Sequence, residues 1–358
     1  MTHALPGYVC PDDGARADVR TAPWRCPLCA GPWDLDFTPD PAAPLTPAAG
    51  PSSLWRYGSA LPLPGAFAVT LSEGNTPLVP MAERIHAKLD YLMPTLSFKD
   101  RGAVMLAEVA RRLAPRRVVA DSSGNAGTAV AAYCARAGLS CEVFVPEGTS
   151  ERKTGQMRAH GAAVRVVPGG REAAALAARA AADEPGVFYA SHVFNPYFLH
   201  GTKTYVYEIW EELGGRLPQA LVLPVGNGTL LLGAALAVAE LARRGVTPPA
   251  LIAVQSEAVA PLAEAFAAGA EDAAPVEQRP TLAEGIAIPA PPRARQILAA
   301  VRAGGGIFLT VPDDRLRAAQ LDLARRGLFV EPTAAPRGGG GGAGGPAPPP
   351  RAPTPRAA

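Results

Sequence analysis

Short, continuously apolar stretches alternate with helix-like patterns through most of this chain, and that alternation limits the fold more than any other feature. The apolar stretches are not interrupted by polar residues at every second position, which is typical of parallel strands buried on both faces of a sheet. The segments between them repeat their apolar residues at helical spacing. The sequence therefore predicts an α/β fold with parallel sheets covered by helices, and it leaves open whether the strands form one sheet or two. The predicted strands are RVVADSS, CEVFVPE, AAVRVVP, GVFYASH, QALVLPVG, LIAVQSE and IFLTVPD, and the clearest helices are AVMLAEVARRL, TAVAAYCARAG, REAAALAARAAADE, KTYVYEIWEELGG and LLLGAALAVAELARRG.

Composition narrows the class of protein. Of the 358 residues, 48% are hydrophobic and 18% are charged, which is typical of a globular chain with a substantial core. A net charge of +2 argues against a dedicated nucleic-acid binder. No apolar run approaches the roughly 18 residues that span a bilayer. The N-terminus shows no apolar core of a secretory signal, and five cysteines without such a signal favour a reducing cytoplasm.

The chain divides by composition into four parts. Residues 1–35 contain three of the five cysteines, and the proline-rich residues 36–54 predict a linker. The strand–helix pattern begins near residue 55 and stops near residue 335. The last part, residues 336–358, consists almost only of Gly, Pro, Ala and Arg, and it predicts a disordered tail.

Two glycine-containing turns follow predicted strands and open onto predicted helices. The first is SSGNAG at 122–127, and the second is GNGT at 226–229. Ligands of open α/β sheets bind at such turns, where the free backbone N–H groups of a helix N-terminus meet an anion. Neither turn fits the G-x-G-x-x-G dinucleotide pattern, and the chain has no G-x-x-x-x-G-K-[ST] nucleotide loop. One such turn alone is an ordinary strand–helix connection, but the two together predict a site for small anions.

A lysine precedes the first clear helix, in the stretch PTLSFKDRG. Lys99 is poorly placed for helix stability, because a helix N-terminus already carries partial positive charge. A solvated surface lysine is the usual alternative, but the neighbours Leu96 and Phe98 are apolar. An amine of lowered pKa near two anion sites suits Schiff-base chemistry with pyridoxal phosphate, which requires a lysine and a phosphate cradle.

Five motifs together resemble the pyridoxal-phosphate enzymes of the tryptophan synthase β-subunit fold, and within them the threonine synthase family. The motifs are SEGNTPL at 72–78, PTLSFKDRG, SSGNAGTAVAAYCARAG, GNGT, and EPTAA at 331–335, and their order fits that family over residues 55–335. The resemblance implies a large cofactor-binding domain of residues 55–95 and 205–335, and a small mobile domain of residues 96–204. It also suggests a homodimer.

The resemblance assigns roles to individual residues. It implies that Lys99 holds the cofactor and moves protons at the substrate's α-carbon, and that Thr333 faces the pyridine nitrogen. Because a neutral hydroxyl does not keep that nitrogen protonated as a carboxylate does, elimination and replacement reactions are favoured over transamination. The resemblance further assigns Phe98 and Asn125 to the cofactor ring, Gly226, Asn227, Gly228 and Thr229 to the cofactor phosphate, and Thr76, Ser122, Ser123 and Ala126 to the substrate.

Three departures from the family pattern concern the substrate. The pattern N-P-x-R-x-E-G-Q-K-T reads NPYFLHGTKT here, so Phe198 replaces a phosphate-binding arginine and His200 replaces a glutamate. Leu96 stands where a glycine is expected, and we expect it to reshape the pocket. The basic residues that remain to supply the missing charge are Arg152, Lys153 and Lys203.

The expected reaction is that of the family, in which O-phosphohomoserine and water give threonine and phosphate by γ-elimination and then addition of water at the β-carbon. Other enzymes of the same fold remain alternatives, with Phe198 as the main argument for them: a serine/threonine dehydratase, a diaminopropionate ammonia-lyase, or a cysteate- or cysteine-forming enzyme. A catalytically impaired cofactor-binding protein is a further alternative. The expected partner is a small amino acid, and neither nucleic acid nor a membrane is expected. His192 and His200 are interpreted as structural histidines.

Some members of the family begin with a zinc ribbon made of two C-x-x-C knuckles. Here CPLC at 26–29 is one intact knuckle, while the other retains Cys10 and has Asp13 in place of its second cysteine. Three thiolates and a carboxylate are able to hold zinc in a tetrahedron, although structural zinc sites prefer Cys and His. The segment is therefore either a partial zinc ribbon with Cys10, Cys26 and Cys29 as ligands, or a degenerate ribbon without metal.

Overall fold

The computed structural model of this protein describes residues 5–21, 23–45 and 50–337. Part of the predicted linker, residues 46–49, and the predicted tail from residue 338 onwards lie outside the described residues. The strands are β1 (Tyr8–Val9), β2 (Arg16–Ala17), β3 (Asp34–Leu35), β4 (Leu78–Ala82), β5 (Ile85–Lys88), β6 (Arg117–Ala120), β7 (Cys141–Pro146), β8 (Ala163–Val167), β9 (Val187–Tyr189), β10 (Ala220–Pro224), β11 (Ala250–Ser256) and β12 (Ile307–Val311). The helices are α1 (Lys99–Leu113), α2 (Asn125–Ala137), α3 (Glu151–Ala159), α4 (Arg171–Ala182), α5 (Tyr197–Thr202), α6 (Thr204–Glu212), α7 (Thr229–Ala242), α8 (Pro261–Ala267), α9 (Ala294–Ala303) and α10 (Asp313–Arg325).

Two parallel sheets form the body of the molecule, and they contain all seven strands predicted from the apolar stretches. One sheet has the order β8-β7-β6-β9, and the other has the order β10-β11-β12. The strands are therefore divided between two sheets. The first sheet falls within residues 96–204 and the second within residues 205–335. The division into two domains stays a prediction.

Helices cover both sheets because their apolar faces pack on the apolar strands. The buried residues of α1 and α2 join those of β6 and β7 in one core. The buried residues of α6, α7 and α9 form a second core with β10 and β11. Among the described helices, none is both long enough and apolar enough to cross a bilayer.

The strand order of the first sheet places a cleft at the end of β6. This strand pairs with β7 on one side and with β9 on the other. The chain connections that lead from β6 to these two neighbours therefore run to opposite sides of the strand. Ligands of open parallel sheets bind beyond the carboxyl ends of the strands at such a point. The turn SSGNAG leaves β6 there and opens α2. The sheet order therefore brings the first predicted anion turn to the cleft.

The start of α1 is positioned by close packing against α5. An added Cβ at Gly201 would lie 1.9 Å from the carbonyl oxygen of Arg101, and one at Gly102 would lie 2.3 Å from the ring of Phe198. A residue with a side chain at either position would hold the two helices apart. Because Lys99 is the first residue of α1, this contact sets the position from which its side chain extends.

A buried ion-pair network ties α1 to α6 and to the chain that follows β5. The fully buried Arg101 donates to Glu208 at 2.6 and 2.8 Å, and to the two oxygens of Asp90 at 2.9 Å. The amine of Lys88 lies 2.8 Å from the same Glu208 carboxylate. Burial alone would raise the pKa of Glu208, but the charges of Arg101 and Lys88 outweigh it and hold that pKa at about 2. Glu208 is therefore ionised and shared by two buried cations.

Replacing Glu208 tests how much this network contributes to stability. Glu208→Ala leaves two buried cations without their shared partner, so we expect the free energy of unfolding to fall by about 3–5 kcal/mol. Glu184→Ala is the matched control, since Glu184 also pairs with two cations, Arg116 and Arg117, but at the surface. We expect the control to cost at most about 1 kcal/mol. Urea unfolding measures both, and equal losses in the two variants contradict this interpretation.

The contribution of Glu208 also depends on pH in a defined direction. Its pKa is about 2 in the folded protein, against about 4.3 for an unfolded chain. The stabilisation is therefore complete above about pH 4.3 and is lost as the pH falls towards the folded value. The difference in stability between the wild type and Glu208→Ala should shrink across that interval, which urea unfolding at a series of pH values measures.

Candidate active site

A cavity of about 420 Å³ opens at the carboxyl end of β6. Its walls come from the start of α1, the turns after β6 and β10, a loop at 282–286 and the segment at 331–333. All the residues predicted to bind the cofactor line it, together with three of the four residues predicted to bind the substrate. Those residues are Phe98, Lys99, Ser122, Ser123, Asn125, Ala126, Gly226, Asn227, Gly228, Thr229 and Thr333.

The amine of Lys99 lies near two aromatic rings, of which that of Phe98 lines the cavity. The Nζ atom lies 4.4 Å from the centroid of the Phe98 ring and 5.9 Å from that of the Phe198 ring. Burial, and then the charge of Arg171, lowers the pKa of Lys99 to about 7. An amine with this pKa is largely neutral at slightly alkaline pH and is a nucleophile towards an aldehyde. The chemistry expected of Lys99 is therefore available at this position.

The two glycine turns present open backbone to the cavity. Gly124 is the N-cap of α2, and Gly228 is the N-cap of α7 with a φ of +74°, a conformation that favours glycine. An added Cβ at Gly226 would lie 2.8 Å from the Cα of Ile286, so this turn has no room for a side chain. The first N–H groups of each helix lack intrahelical partners and are suited to bind an anion. Two separate places for an anion therefore face the cavity.

The segment at 331–333 joins the cavity wall through two hydrogen bonds. The Nδ2 of Asn125 donates to Oε1 of Glu331 at 3.2 Å. The backbone N–H of Gly285 donates to Oγ1 of Thr333 at 3.2 Å. Because Oγ1 already accepts from a backbone donor, the hydroxyl hydrogen of Thr333 remains available. Thr333 is therefore suited to donate a hydrogen bond to an acceptor in the cavity.

Three residues singled out in the sequence lie outside the cavity lining. Thr76 is buried in the ion-pair network, where its hydroxyl donates to Asp90 at 2.7 Å and accepts from Arg101 at 3.1 Å; its substrate role stays a prediction. Phe198 is fully buried. Leu96 is 67% exposed, with a φ of +63°. The expectation that Leu96 reshapes the pocket is wrong, because its side chain is in solvent; the glycine of the family pattern suits the left-handed backbone at this position.

The basic residues expected to replace the missing arginine have different surroundings. Lys203 is fully buried, lies outside the cavity lining and pairs with Glu240 at 2.8 Å. The prediction that it supplies charge to the substrate is therefore wrong, because Glu240 neutralises that charge in the core. Lys153 does line the cavity, with its amine 3.2 Å from Glu284. Arg152 is exposed and does not line the cavity.

Sequence reasoning missed two functional candidates in the cavity wall. Arg171 opens α4 directly after the turn PGG that follows β8, so the strand–glycine–helix signal of the other two turns is present here too. The interpretation of His192 as structural is incomplete, because its ring lines the cavity 3.4 Å from Nδ2 of Asn227. Burial, and then the charges of Lys99 and Arg171, lower the pKa of His192 well below its usual value, so the ring is neutral. His200 is buried in the core and fits the structural interpretation.

The N-terminal cysteines converge as the ribbon pattern predicts. The possible ligand atoms of Cys10, Asp13, Cys26 and Cys29 all lie within 4.8 Å of one another. The backbone N–H of Leu28 lies 3.4 Å from Sγ of Cys26, and that of Gly31 lies 3.3 Å from Sγ of Cys29. This donor set fits zinc, with a carboxylate where structural sites usually have Cys or His. The geometry is compatible with both predicted states, a zinc site and a ribbon without metal.

Comparison with known proteins identifies the family. The sequence profile of the family described as pyridoxal-phosphate dependent enzyme matches residues 69–337. The chain belongs to this family. Threonine synthase of Methanosarcina acetivorans is 35% identical over 295 residues, which cover 79% of this chain and 72% of the relative. Threonine synthase of Methanocaldococcus jannaschii is 33% identical over 295 residues, which cover 79% of this chain and 73% of the relative. The protein is therefore a threonine synthase-like, pyridoxal-phosphate dependent lyase.

Solved structures agree with the expected fold class. The L-serine ammonia-lyase from Rhizomucor miehei has a TM-score of 0.66 at 21% identity and covers 74% of this chain and 84% of that chain. The threonine deaminase from T.th. has a TM-score of 0.60 at 30% identity and covers 70% of this chain and 79% of that chain. These similarities confirm the α/β tryptophan synthase β-like fold with parallel sheets. The zinc-ribbon-like segment depends only on the geometry of its four side chains.

The site of this pyridoxal-phosphate enzyme fits the cofactor. The cofactor requires an amine for its aldehyde, a cradle for its phosphate and a partner for its ring nitrogen. Lys99, with its lowered pKa, is such an amine. The turn at Gly226 and Gly228, where an added Cβ has no room, is such a cradle. Thr333 has a hydroxyl hydrogen available for the ring nitrogen.

The pKa of Lys99 predicts how the protein without cofactor captures it. The capture rate should rise with pH through about 7, because only the neutral amine attacks an aldehyde. The rise in visible absorption after mixing measures that rate. The reaction of the same cofactor with free lysine, whose amine has a pKa of about 10.4, is the control for ionisation of the cofactor itself. A corrected rate that is flat between about pH 6 and 8 contradicts the lowered pKa.

A cysteine in place of Asp13 tests the thiolate cluster. We expect Asp13→Cys to bind zinc at least about tenfold more tightly than the wild type, because zinc prefers a fourth thiolate to a carboxylate. Competition with a chelator measures the affinity, and the charge-transfer bands of the cobalt-substituted protein report the number of thiolate ligands. Asp12→Cys is the matched control, since Asp12 precedes Asp13 and lies outside the cluster. Equal zinc binding by the two variants means that position 13 does not face a metal.

Proposed function

We propose that this protein converts O-phosphohomoserine and water to threonine and phosphate, by γ-elimination of phosphate and then addition of water at the β-carbon. The observation that carries the proposal is the cavity at Lys99, where an amine of lowered pKa lies beside two turns suited to anions. Threonine synthases that are 33–35% identical over 79% of the chain support it. The substrate is then a small amino acid with a carboxylate at one end and a phosphate at the other.

We propose that the cofactor is held by the residues that line the cavity at α1, α2 and α7. The N–H groups of the turn after β10 bind its phosphate, because the N-terminus of α7 carries partial positive charge. The Nδ2 of Asn125, which contacts Glu331, donates to the ring hydroxyl. When bound, pyridoxal phosphate withdraws electrons from the bonds at the substrate's α-carbon. The proposed cofactor residues are Phe98, Lys99, Asn125, Gly226, Asn227, Gly228, Thr229 and Thr333.

The turn after β6 is proposed to bind the carboxylate of the substrate. Ser122 and Ser123 supply hydroxyls, and the backbone at Ala126 supplies an N–H in the first turn of α2. This turn is separate from the phosphate turn, so each anion has its own set of donors. The proposed contact of Thr76 with the substrate has the least support, because its hydroxyl already bonds to Asp90 and Arg101.

Lys99 is proposed to move protons at the α-carbon once the substrate has displaced it. A general base is most effective when its pKa lies near the working pH, and the pKa of Lys99 is about 7. Thr333 brings no charge to the ring nitrogen, because its hydroxyl is neutral. Elimination and replacement are therefore favoured over transamination, which agrees with a lyase. The predicted homodimer, cytoplasmic location and two-domain division are further parts of this proposal.

A β-eliminating dehydratase is the second candidate, and Phe198 is the observation that favours it. The position of the family's phosphate-binding arginine is filled here by a fully buried ring. The threonine deaminase from T.th., 30% identical, has a similar fold. A dehydratase removes water instead of phosphate and needs no ligand for a phosphate. The remaining enzymes of the fold, and an impaired cofactor-binding protein, have no comparable observation in their favour.

A comparison of substrates separates the two candidates. Purified holoenzyme should release phosphate from O-phosphohomoserine and form threonine in equal amount, with little keto acid from serine or threonine. Lys99→Arg keeps a long basic side chain but does not form a Schiff base, so we expect its turnover to fall at least about a hundredfold. Its visible absorption band should also be lost. Keto acid from serine or threonine without phosphate release from O-phosphohomoserine favours the dehydratase.

A further inference from the structure

The part of the chain expected to bind the substrate phosphate offers no cation to the cavity. Phe198 is fully buried, and its ring packs against Gly102 and the ring of His192. Lys203, five residues further on, is buried and pairs with Glu240. A phosphorylated substrate carries a dianion that needs charged donors in the site. The cavity must therefore provide them from a different element.

Besides Lys99, two basic residues of the described chain line the cavity, Lys153, which the sequence offered as a source of charge, and Arg171, which it did not. Lys153 comes from α3 and lies 3.2 Å from Glu284, which partly compensates its charge. Arg171 comes from the first residue of α4, and its side chain is exposed. Within residues 5–21, 23–45 and 50–337, no hydrogen bond or ion pair engages the Arg171 guanidinium. Arg171 therefore faces the cavity with all five of its N–H donors uncommitted.

The charge of Arg171 reaches the groups that carry out the proposed chemistry. It contributes, after burial, to the lowered pKa of Lys99, and after burial and Lys99 to the lowered pKa of His192. Lys99, His192 and Arg171 all line the same cavity. The turns at the starts of α2 and α7 already serve the substrate carboxylate and the cofactor phosphate in the proposed function. Arg171 therefore remains available to bind a third anion.

We propose that Arg171, supported by Lys153, binds the phosphate of the phosphorylated amino-acid substrate and so takes over the role that Phe198 is unable to fill. The inference rests on the proposed function, since it assigns the third anion of that reaction. The planar guanidinium matches the oxygens of a phosphate with two parallel hydrogen bonds. Specificity for a phosphorylated substrate therefore comes from the start of α4 instead of from α5.

Arg171→Met tests the assignment and, because Arg171 is exposed, leaves the core intact. We expect the KM for O-phosphohomoserine and the inhibition constant for inorganic phosphate each to rise about 10- to 100-fold, the effect of losing a charged hydrogen-bond partner. Arg171→Lys should recover part of this loss, since it restores the charge but not the paired hydrogen bonds. The amount of cofactor per chain, read from visible absorption, should stay unchanged. Arg152→Met is the matched control, because Arg152 is exposed on α3 and does not line the cavity.

Each of the other possible results of these experiments contradicts a specific part of the proposal. If Arg171→Met keeps the wild-type KM and phosphate inhibition within about twofold, Arg171 does not bind the substrate phosphate. If the variant loses cofactor instead, Arg171 belongs to the cofactor phosphate. If Arg152→Met has the same effect as Arg171→Met, the measured loss reflects general surface charge. If wild-type holoenzyme releases no phosphate from O-phosphohomoserine, the proposed function is wrong. The assignment of Arg171 to the substrate phosphate is then wrong as well.

Discussion

Lys99 is held in place by an arginine two residues further along the same helix. The guanidinium of Arg101 is fully buried, and its N–H groups bond to Asp90, Glu208, Thr76 and Thr204. Burying a cation is costly unless its charge and its donors are all compensated, so rotation or translation of α1 would break several of these contacts at once. The orientation of α1, and with it the direction of the lysine, is therefore determined by contacts outside the cavity. The close approach of Gly102 and Gly201 between α1 and α5 adds a steric limit to this electrostatic one.

The same local structure, a strand followed by a glycine turn and a helix, occurs three times around the cavity. Each of β6, β8 and β10 ends in a glycine-containing turn that opens a helix, namely α2, α4 and α7. At α2 and α7 the turn offers backbone N–H groups, which suit anions whose position varies little. At α4 the side chain of Arg171 extends the reach of the turn to a ligand further away. A reaction with three anionic groups thus finds three sets of donors, and they come from both sheets.

The sequence allowed the strands and a set of cavity-lining residues to be predicted, because both have local signals. Continuous apolar runs predicted all seven strands of the two parallel sheets, and contiguous motifs predicted that Lys99, Asn125 and Gly226 share one site, which agrees with their place in the cavity lining. What failed were inferences about partners distant in the chain. The sequence shows only that Lys203 is basic. The fold shows that the carboxylate of Glu240 neutralises its charge. The glycine turn before Arg171 is a local signal in the sequence. Whether the Arg171 side chain lines the cavity depends on how α4 packs relative to α1.

The charges around Lys99 also suggest why the proposed phosphate site and the proposed base are neighbours. Burial and the charge of Arg171 lower the pKa of Lys99, while the charge of Glu331 raises it. A dianion bound to Arg171 compensates the guanidinium and so removes one of the two causes that lower this pKa. Lys99 then becomes a stronger base when a phosphorylated substrate is present than when the site holds none. Departure of the phosphate reverses the change and favours release of the proton from Lys99 in the second half of the proposed reaction, where a proton must be returned to the substrate.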